Sequence, residues 1–385
     1  MLNACSSVSK KDGKVRTEKK IVMFYPYISA KASKEVEKII KSRWIGQGQV
    51  VAEFEEKFKE VTCVPFAVAV NNVSSSIRLA LALSGVNPGD EVITSAQTCT
   101  ATNHPILEQY ATPVFADIQY LSGNINPKDI EKRITEKTKA ILCTHWGGYP
   151  CDLEEIHTTA KKHNLPIIED ASDAMGARYK GKPVGSISPF TCFSFQAIQQ
   201  ITTAEGGMLC TLEEEIFDAA QRRRWYGIDR IQRKPNVVGY FDFDVWETGY
   251  GYHMTNIAAA IGLANLEEFE SIKNKRQKIA KKYREALCKL DGITLFEEKS
   301  DRSSAHQLFT IHVRDREKFC QALRSRGIET SIVHKRNDVY TVFGGLRNDL
   351  PHLDHFTKTN ISIPLHNQLT DEDVDYITEI IKKGW

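Results

Sequence analysis

An apolar run that closes on carboxylates, Pro166-Ile-Ile-Glu-Asp-Ala-Ser-Asp-Ala174, is the stretch of this 385-residue chain best suited to chemistry. As a strand of an open α/β sheet it would put its acidic end at the carboxyl edge, where such sheets bind ligands. A carboxylate there suits a cationic ligand. Asp170 can lie against the protonated ring nitrogen of pyridoxal phosphate, keeping that ring an electron sink, or it can cap a helix or pair with a basic side chain. Hydroxyls recur in two more places. Asn71-Asn-Val-Ser-Ser-Ser76 opens a helical pattern after an apolar run, so its amides and hydroxyls, Ser74 and Ser75 among them, can hold an anion at the positive helix end. Ser194, in Phe193-Ser-Phe195, is a second hydroxyl at the end of an apolar run. Serine at a helix start is also an ordinary cap.

The commoner signatures are missing. No G-x-G-x-x-G follows the first strand, and there is no G-x-x-x-x-G-K-[ST], H-E-x-x-H or G-x-S-x-G. The 9 cysteines form no C-x-x-C pair and no metal-ligand spacing, and their odd number suits reduced thiols in a cytoplasmic protein rather than a disulfide framework.

The elements that must position these residues follow from the alternation of short apolar runs with amphipathic stretches between Phe66 and Cys210, the pattern of strand and helix units in a mostly parallel sheet. Seven strands are expected, at 66–70, 91–94, 113–116, 140–144, 166–169, 191–195 and 208–211, with helices over 74–83, 126–134 and 152–163, the last capped by Asp152. After Asn256 the pattern becomes one long helix, 257 to about 290. A smaller α+β part follows, with strands over 307–313 and 330–333 and helices over 315–326 and 371–383. The length suits two domains, read as 24–256 and 257–385 behind a polar leader, 1–23. The leader lacks the apolar centre of a signal peptide, and no apolar run approaches the roughly 18 residues of a membrane span. With 51 Lys plus Arg against 49 Asp plus Glu, 41% hydrophobic and 26% charged residues, the chain is neither disordered nor charged for nucleic acid or an anionic membrane.

A succession of short blocks then carries a resemblance. Trp44-Ile-Gly-Gln-Gly48, Pro88-Gly-Asp-Glu-Val-Ile93, Pro113-Val-Phe-Ala-Asp117, Glu169-Asp-Ala171, Tyr179-Lys-Gly-Lys182, Phe193-Ser-Phe195, Thr202-Thr-Ala-Glu-Gly-Gly207 and Ser362-Ile-Pro-Leu-His366 stand in this order. From about residue 24 to the C-terminus the chain resembles the DegT/StrS family of pyridoxal-phosphate sugar aminotransferases. The resemblance implies the fold-type I architecture, α/β with a smaller C-terminal α+β domain, and a homodimer with sites at its interface. It implies pyridoxal 5'-phosphate or pyridoxamine 5'-phosphate as cofactor, and amino transfer from glutamate to a keto group of a nucleotide-linked sugar for surface polysaccharide or other glycans. Position by position, Asp170 resembles the pyridinium partner and Ser194 and Ser74 the phosphate ligands, with Ser75 beside them. Thr98 falls in the loop that covers one ring face. Gly249-Tyr-Gly-Tyr-His-Met254 resembles the block that crosses the dimer to the partner's phosphate, and His334-Lys-Arg-Asn-Asp338, with His334, Arg336 and Asn337, the segment that contacts the sugar nucleotide.

Four positions depart from that pattern. Five residues after Ser194, where the family carries its catalytic lysine, stands Gln199. An amide nitrogen, its lone pair delocalised into the carbonyl, neither forms a Schiff base nor shuttles protons. Val73 replaces a glycine of the phosphate turn, which matters if that turn needs positive φ. Asp173 replaces a His or Gln near the phenolic oxygen, and Gly251 an Asn or Lys that reaches the partner's phosphate. The sequence therefore allows a variant aminotransferase, a non-catalytic homologue that binds the cofactor or a sugar nucleotide, or a pyridoxamine-using sugar dehydratase. The family's dehydratases carry His in place of the lysine, and His can act as a base where Gln cannot.

Overall fold

A computed structural model describes residues 20–385 of the protein, and the leader's residues 1–19 lie outside them. The seven apolar runs form one sheet: β1 (Phe66–Val70), β2 (Glu91–Ser95), β3 (Thr112–Ala116), β4 (Thr138–Thr144), β5 (Ile167–Asp170), β6 (Phe190–Ser194) and β7 (Gly207–Thr211), in spatial order β1-β7-β6-β5-β4-β2-β3. Strand β7 is antiparallel to both of its neighbours, and the other pairings are parallel. Crossover helices bury the sheet on both faces, so its strands read as nearly continuous Val, Ile, Ala and Phe runs. Because β1, β2, β4, β5 and β6 run the same way, their carboxyl ends share one edge. Thr144 pairs with Asp170, and Asp170 with Cys192, two residues before Ser194.

Helix α1 (Ala32–Ser42) precedes α2 (Gln49–Thr62), which seals one face with Phe54 and Phe58. These rings meet Phe195 at 5.2 and 5.6 Å between centroids, and Phe58 meets Phe193 at 5.3 Å. Edge-to-face aromatic packing of this kind fixes the loop that leaves β6. Around the sheet lie α3 (Val73–Leu83), α4 (Thr100–Glu108), α5 (Pro127–Arg133), α6 (Leu153–His163) and α7 (Glu214–Arg223).

The helix expected from 257 to 290 is two helices, α8 (Asn256–Leu266) and α9 (Phe269–Leu287), divided at Glu267 and Glu268. Glu268 turns out of helical register and accepts from the hydroxyls of Tyr27 and Ser29. A second, antiparallel sheet of β8 (Ile293–Leu295), β9 (Phe309–Val313) and β10 (Asn360–Ile363) packs with α9, α10 (Arg316–Arg324) and α12 (Asp371–Lys382) around Tyr283, Ile311, Phe319 and Ile377. Helix α11 (Pro351–Thr359) leads into β10. The strand expected over 330–333 reduces to one bridge, Ser331 to Ser362, because Val333 has φ of 62° and turns the chain away.

Asp152 does not cap α6. Its carboxylate instead accepts from Lys299 at 2.8 Å, Gln119 at 2.7 Å and Arg302 at 2.7 Å, tying the sheet to the C-terminal part. No helix among the described residues is long and apolar enough to cross a membrane.

Candidate active site

Adjacent residues of a strand point to opposite faces. At the end of β5, Glu169 meets the ring of His145 at 2.7 Å, and Asp170 turns toward the shared carboxyl edge, both buried. Asp170 Oδ2 accepts from the Thr102 hydroxyl at 2.6 Å, and Oδ1 accepts from the Ser172 amide at 3.0 Å and its hydroxyl at 2.5 Å. Thr98 Oγ1 contacts Thr102 at 2.8 Å and receives Thr144 at 3.3 Å, which extends the hydroxyl row across three elements. A carboxylate offers about four acceptor sites. Three donors leave Asp170 room for one more, which suits a protonated ring nitrogen.

Three residues on, Asp173 is half-buried in the turn after β5. Burial, and then the charge of Asp170, push its carboxyl up to about 6, against the pull of Gln199, the Gly147 amide and the Arg276 charge. Gly148 has φ of 92°, and a Cβ there would come within 2.5 Å of the Asp173 carbonyl, so the turn can lie this close only against glycine. From the loop between β6 and β7, Gln199 Nε2 donates to Asp173 Oδ1 at 3.2 Å, and Gln199 Oε1 is buried without a partner. The loop is held by the Gln199 amide on the Gln196 carbonyl at 2.9 Å and the Thr203 amide on the Phe195 carbonyl at 2.9 Å.

The anion cradle stands at the start of α3. Asn72 caps that helix by accepting from the Ser75 amide at 2.8 Å, and Ser74 donates its hydroxyl to the Ala101 carbonyl at 2.9 Å. Val73 is the first helical residue and is not among the positive-φ positions, so the strain expected for a residue replacing glycine does not arise. Ser194 accepts from the Gln196 amide at 3.3 Å. Both serine hydroxyls keep lone pairs or a proton for a ligand.

The more distant expectations divide. His334 comes toward the site: burial lowers its pKa while the charge of Asp170 raises it, so its imidazole is neutral near that carboxylate. Its amide donates to the Ile332 carbonyl at 2.7 Å across Val333, a γ-turn with positive φ that is costly for a β-branched residue. Arg336 is already paired with Asp338 at 2.6 Å and with Asp354, so its charge is spent inside the fold. Asn337 is a strut. Its backbone amide donates to the Ala96 carbonyl at 2.7 Å, Nδ2 to the Thr98 carbonyl at 2.8 Å, and Oδ1 accepts from Asn103 at 2.9 Å. Gly251 lies in the stretch after α7, where a Cβ would sit 2.6 Å from the Tyr226 hydroxyl; the tyrosine ring takes the room of a side chain.

Sequence reasoning missed three contributors. Thr102 follows Thr98 by four residues, one helical turn, and that spacing was its signal. Cys99 sits close enough to Asp170 and Asp173 for their charges to add to burial in raising its thiol. Buried Arg276 of α9 donates to the carbonyls of His306, Gln307 and Leu365, and its charge acts on Asp173. No local pattern marks an arginine of an ordinary amphipathic helix as the cation facing a site.

The model of the DegT/DnrJ/EryC1/StrS aminotransferase family matches residues 26–382. The GDP-perosamine synthase of Escherichia coli O157:H7 is 34% identical over 369 residues, covering 95% of this chain and 98% of that protein. The crystal structure of the sugar aminotransferase CalS13 from Micromonospora echinospora superposes with a TM-score of 0.90 at 32% identity, covering 94% and 99% of the two chains. The putative sugar aminotransferase Spr1654 from Streptococcus pneumoniae, solved in PMP and PLP forms, gives 0.88 at 29% identity for the PMP form, over 95% and 97%.

Proposed function

Since the chain belongs to the DegT/DnrJ/EryC1/StrS aminotransferase family, we propose that it holds pyridoxamine or pyridoxal phosphate without a covalent bond, together with a nucleotide-linked keto sugar. On this reading lysine-dependent amino transfer from glutamate has been lost. What supports it is Gln199, which the spacing from Ser194 assigns to the family's lysine position and whose amide nitrogen donates to Asp173 Oδ1. An amide supplies neither a nucleophile nor a base.

The remaining groups suit the cofactor. Asp170, with one acceptor site left, keeps a ring nitrogen protonated, and Thr102 and Ser172 hold that carboxylate in place. The hydroxyls of Ser74 and Ser194 and the first amides of α3 receive a phosphate at the positive end of a helix. When bound, the cofactor supplies an electron sink beside the substrate carbon. His334, whose pKa burial lowers while the charge of Asp170 raises it, offers a sugar hydroxyl a donor or an acceptor. The stretch after α7 exposes Ile231 (85%), Val238 (81%) and Trp246 (58%). So many apolar side chains on one segment suit burial against a second copy of the chain.

The test is to incubate the protein with pyridoxal phosphate, treat it with borohydride and weigh it. The expected mass is unchanged, and the Gln199→Lys variant gains one cofactor. Amino transfer from glutamate to a 4-keto sugar nucleotide by the unaltered chain would overturn the proposal.

A further inference from the structure

We propose that Asp173 and Gln199 form a seat for an ammonium group carried in by the ligand, so that the site selects the aminated cofactor, pyridoxamine phosphate, over the aldehyde, pyridoxal phosphate. The inference rests on the reading of position 199 above and adds the form of ligand that the altered residues select.

The argument begins with donors and acceptors. The amide nitrogen of Gln199 is oriented by its 3.2 Å bond to Asp173 Oδ1. Turning the amide over would set oxygen against carboxylate, so its Oε1 faces away, and that buried atom has no donor. Two acceptors therefore flank the Gln199 nitrogen, the Asp173 carboxylate on one side and Gln199 Oε1 on the other. An ammonium brings three N–H donors and can satisfy both, whereas an aldehyde brings only another acceptor.

Charge argues in the same direction. Asp170 and Asp173 lie on one turn. The groups that act on Asp173 are Asp170 from β5, Cys99 from the start of α4, Gln199 from the loop after β6, the Gly147 amide and Arg276 from α9. Arg276 is the cation among them, and its guanidinium is occupied by three carbonyls and Asn367. In the family pattern the lysine brings a cation to this corner. Here that cation is absent and a carboxylate has been added, leaving a vacancy for positive charge. A side chain with a proton affinity near pH 6 at this spot takes its charged form readily once an ammonium arrives.

Equilibrium binding by quenching of tryptophan fluorescence provides the test, with pyridoxamine phosphate and pyridoxal phosphate titrated separately into the unaltered protein at pH 5 and pH 8. At pH 8 the amine form should bind at least about tenfold tighter, the scale of a charge-assisted hydrogen bond. The preference should shrink at pH 5, where Asp173 holds a proton. In Asp173→Asn, which keeps the shape of the side chain, it should disappear. In Gln199→Lys the chain's own ammonium fills the seat and the preference should reverse. Equal affinity for the two forms at pH 8, or an undiminished preference in Asp173→Asn, would overturn the seat while leaving the cofactor pocket standing. Failure of both forms to bind would overturn the pocket and the seat together.

Discussion

Two neighbouring residues of β5 show how one strand serves structure on one face and ligand chemistry on the other. Glu169 and His145 are fully buried and paired: the ring meets Glu169 Oε2 at 2.7 Å, and its Nδ1 accepts from the Cys151 amide at 3.0 Å, while Glu169 Oε1 has no donor. That second bond makes the ring the Nε2–H tautomer, with both nitrogens used. On the opposite face Asp170 and Asp173 are held by hydroxyls, amides and one glutamine side chain, with no ammonium or guanidinium bonded to either. The first pair uses both ring nitrogens and one carboxylate oxygen inside the fold. The second is a charge arrangement awaiting a partner, and that difference separates a core network from a site.

The largest expected effect breaks the paired face. His145→Ala strands Glu169 in a dry environment and should cost about 3–5 kcal/mol in denaturant unfolding, the usual penalty for removing one half of a buried polar pair. On the unmatched face the sign reverses. Asp173 has a folded pKa raised from 3.8 to about 6, so its contribution to stability is complete below pH 4 and is lost as pH rises through about 6. Asp173→Asn should therefore stabilise the ligand-free protein at pH 8, by up to roughly 3 kcal/mol for a displacement of this size, and do nearly nothing at pH 4. Thermal melts at the two pH values check this, and equal shifts at both would contradict it. Smallest is Thr102→Val, which removes one donor from Asp170 but leaves the Ser172 pair. About 1.5 kcal/mol of stability should go, and binding of pyridoxamine phosphate should weaken with it as the carboxylate loses its fixed orientation.

Much of this was legible in the chain itself, for identifiable reasons. The inner strands of the main sheet are buried almost throughout, so their apolar runs are nearly unbroken and their order with the helices specifies the topology, while the edge strand β3 opens on exposed Thr112. Gln199 is marked by its spacing from Ser194, and its side chain reaches Asp173 from the loop after β6. The misreadings occurred where tertiary contacts overrule local pattern. Asp152 precedes a helix as a cap would, but Lys299 and Arg302, far along the chain, claim its carboxylate. Arg336 and Asn337 are ligand candidates through the resemblance of their segment to one that contacts a sugar nucleotide, and what occupies them in the fold is Asp338 and Asp354 in one case and Ala96, Thr98 and Asn103 in the other.

Asn337 carries a mechanical consequence. With its backbone amide and both ends of its side chain it stitches the C-terminal segment to the loop after β2 and to α4, directly beside the hydroxyl row that holds Asp170. Widening the cleft here breaks three hydrogen bonds at one residue, roughly 3 kcal/mol before any compensation. The pocket thus has a set gauge at this wall, and its ligands are sorted by whether they fit that aperture as it stands.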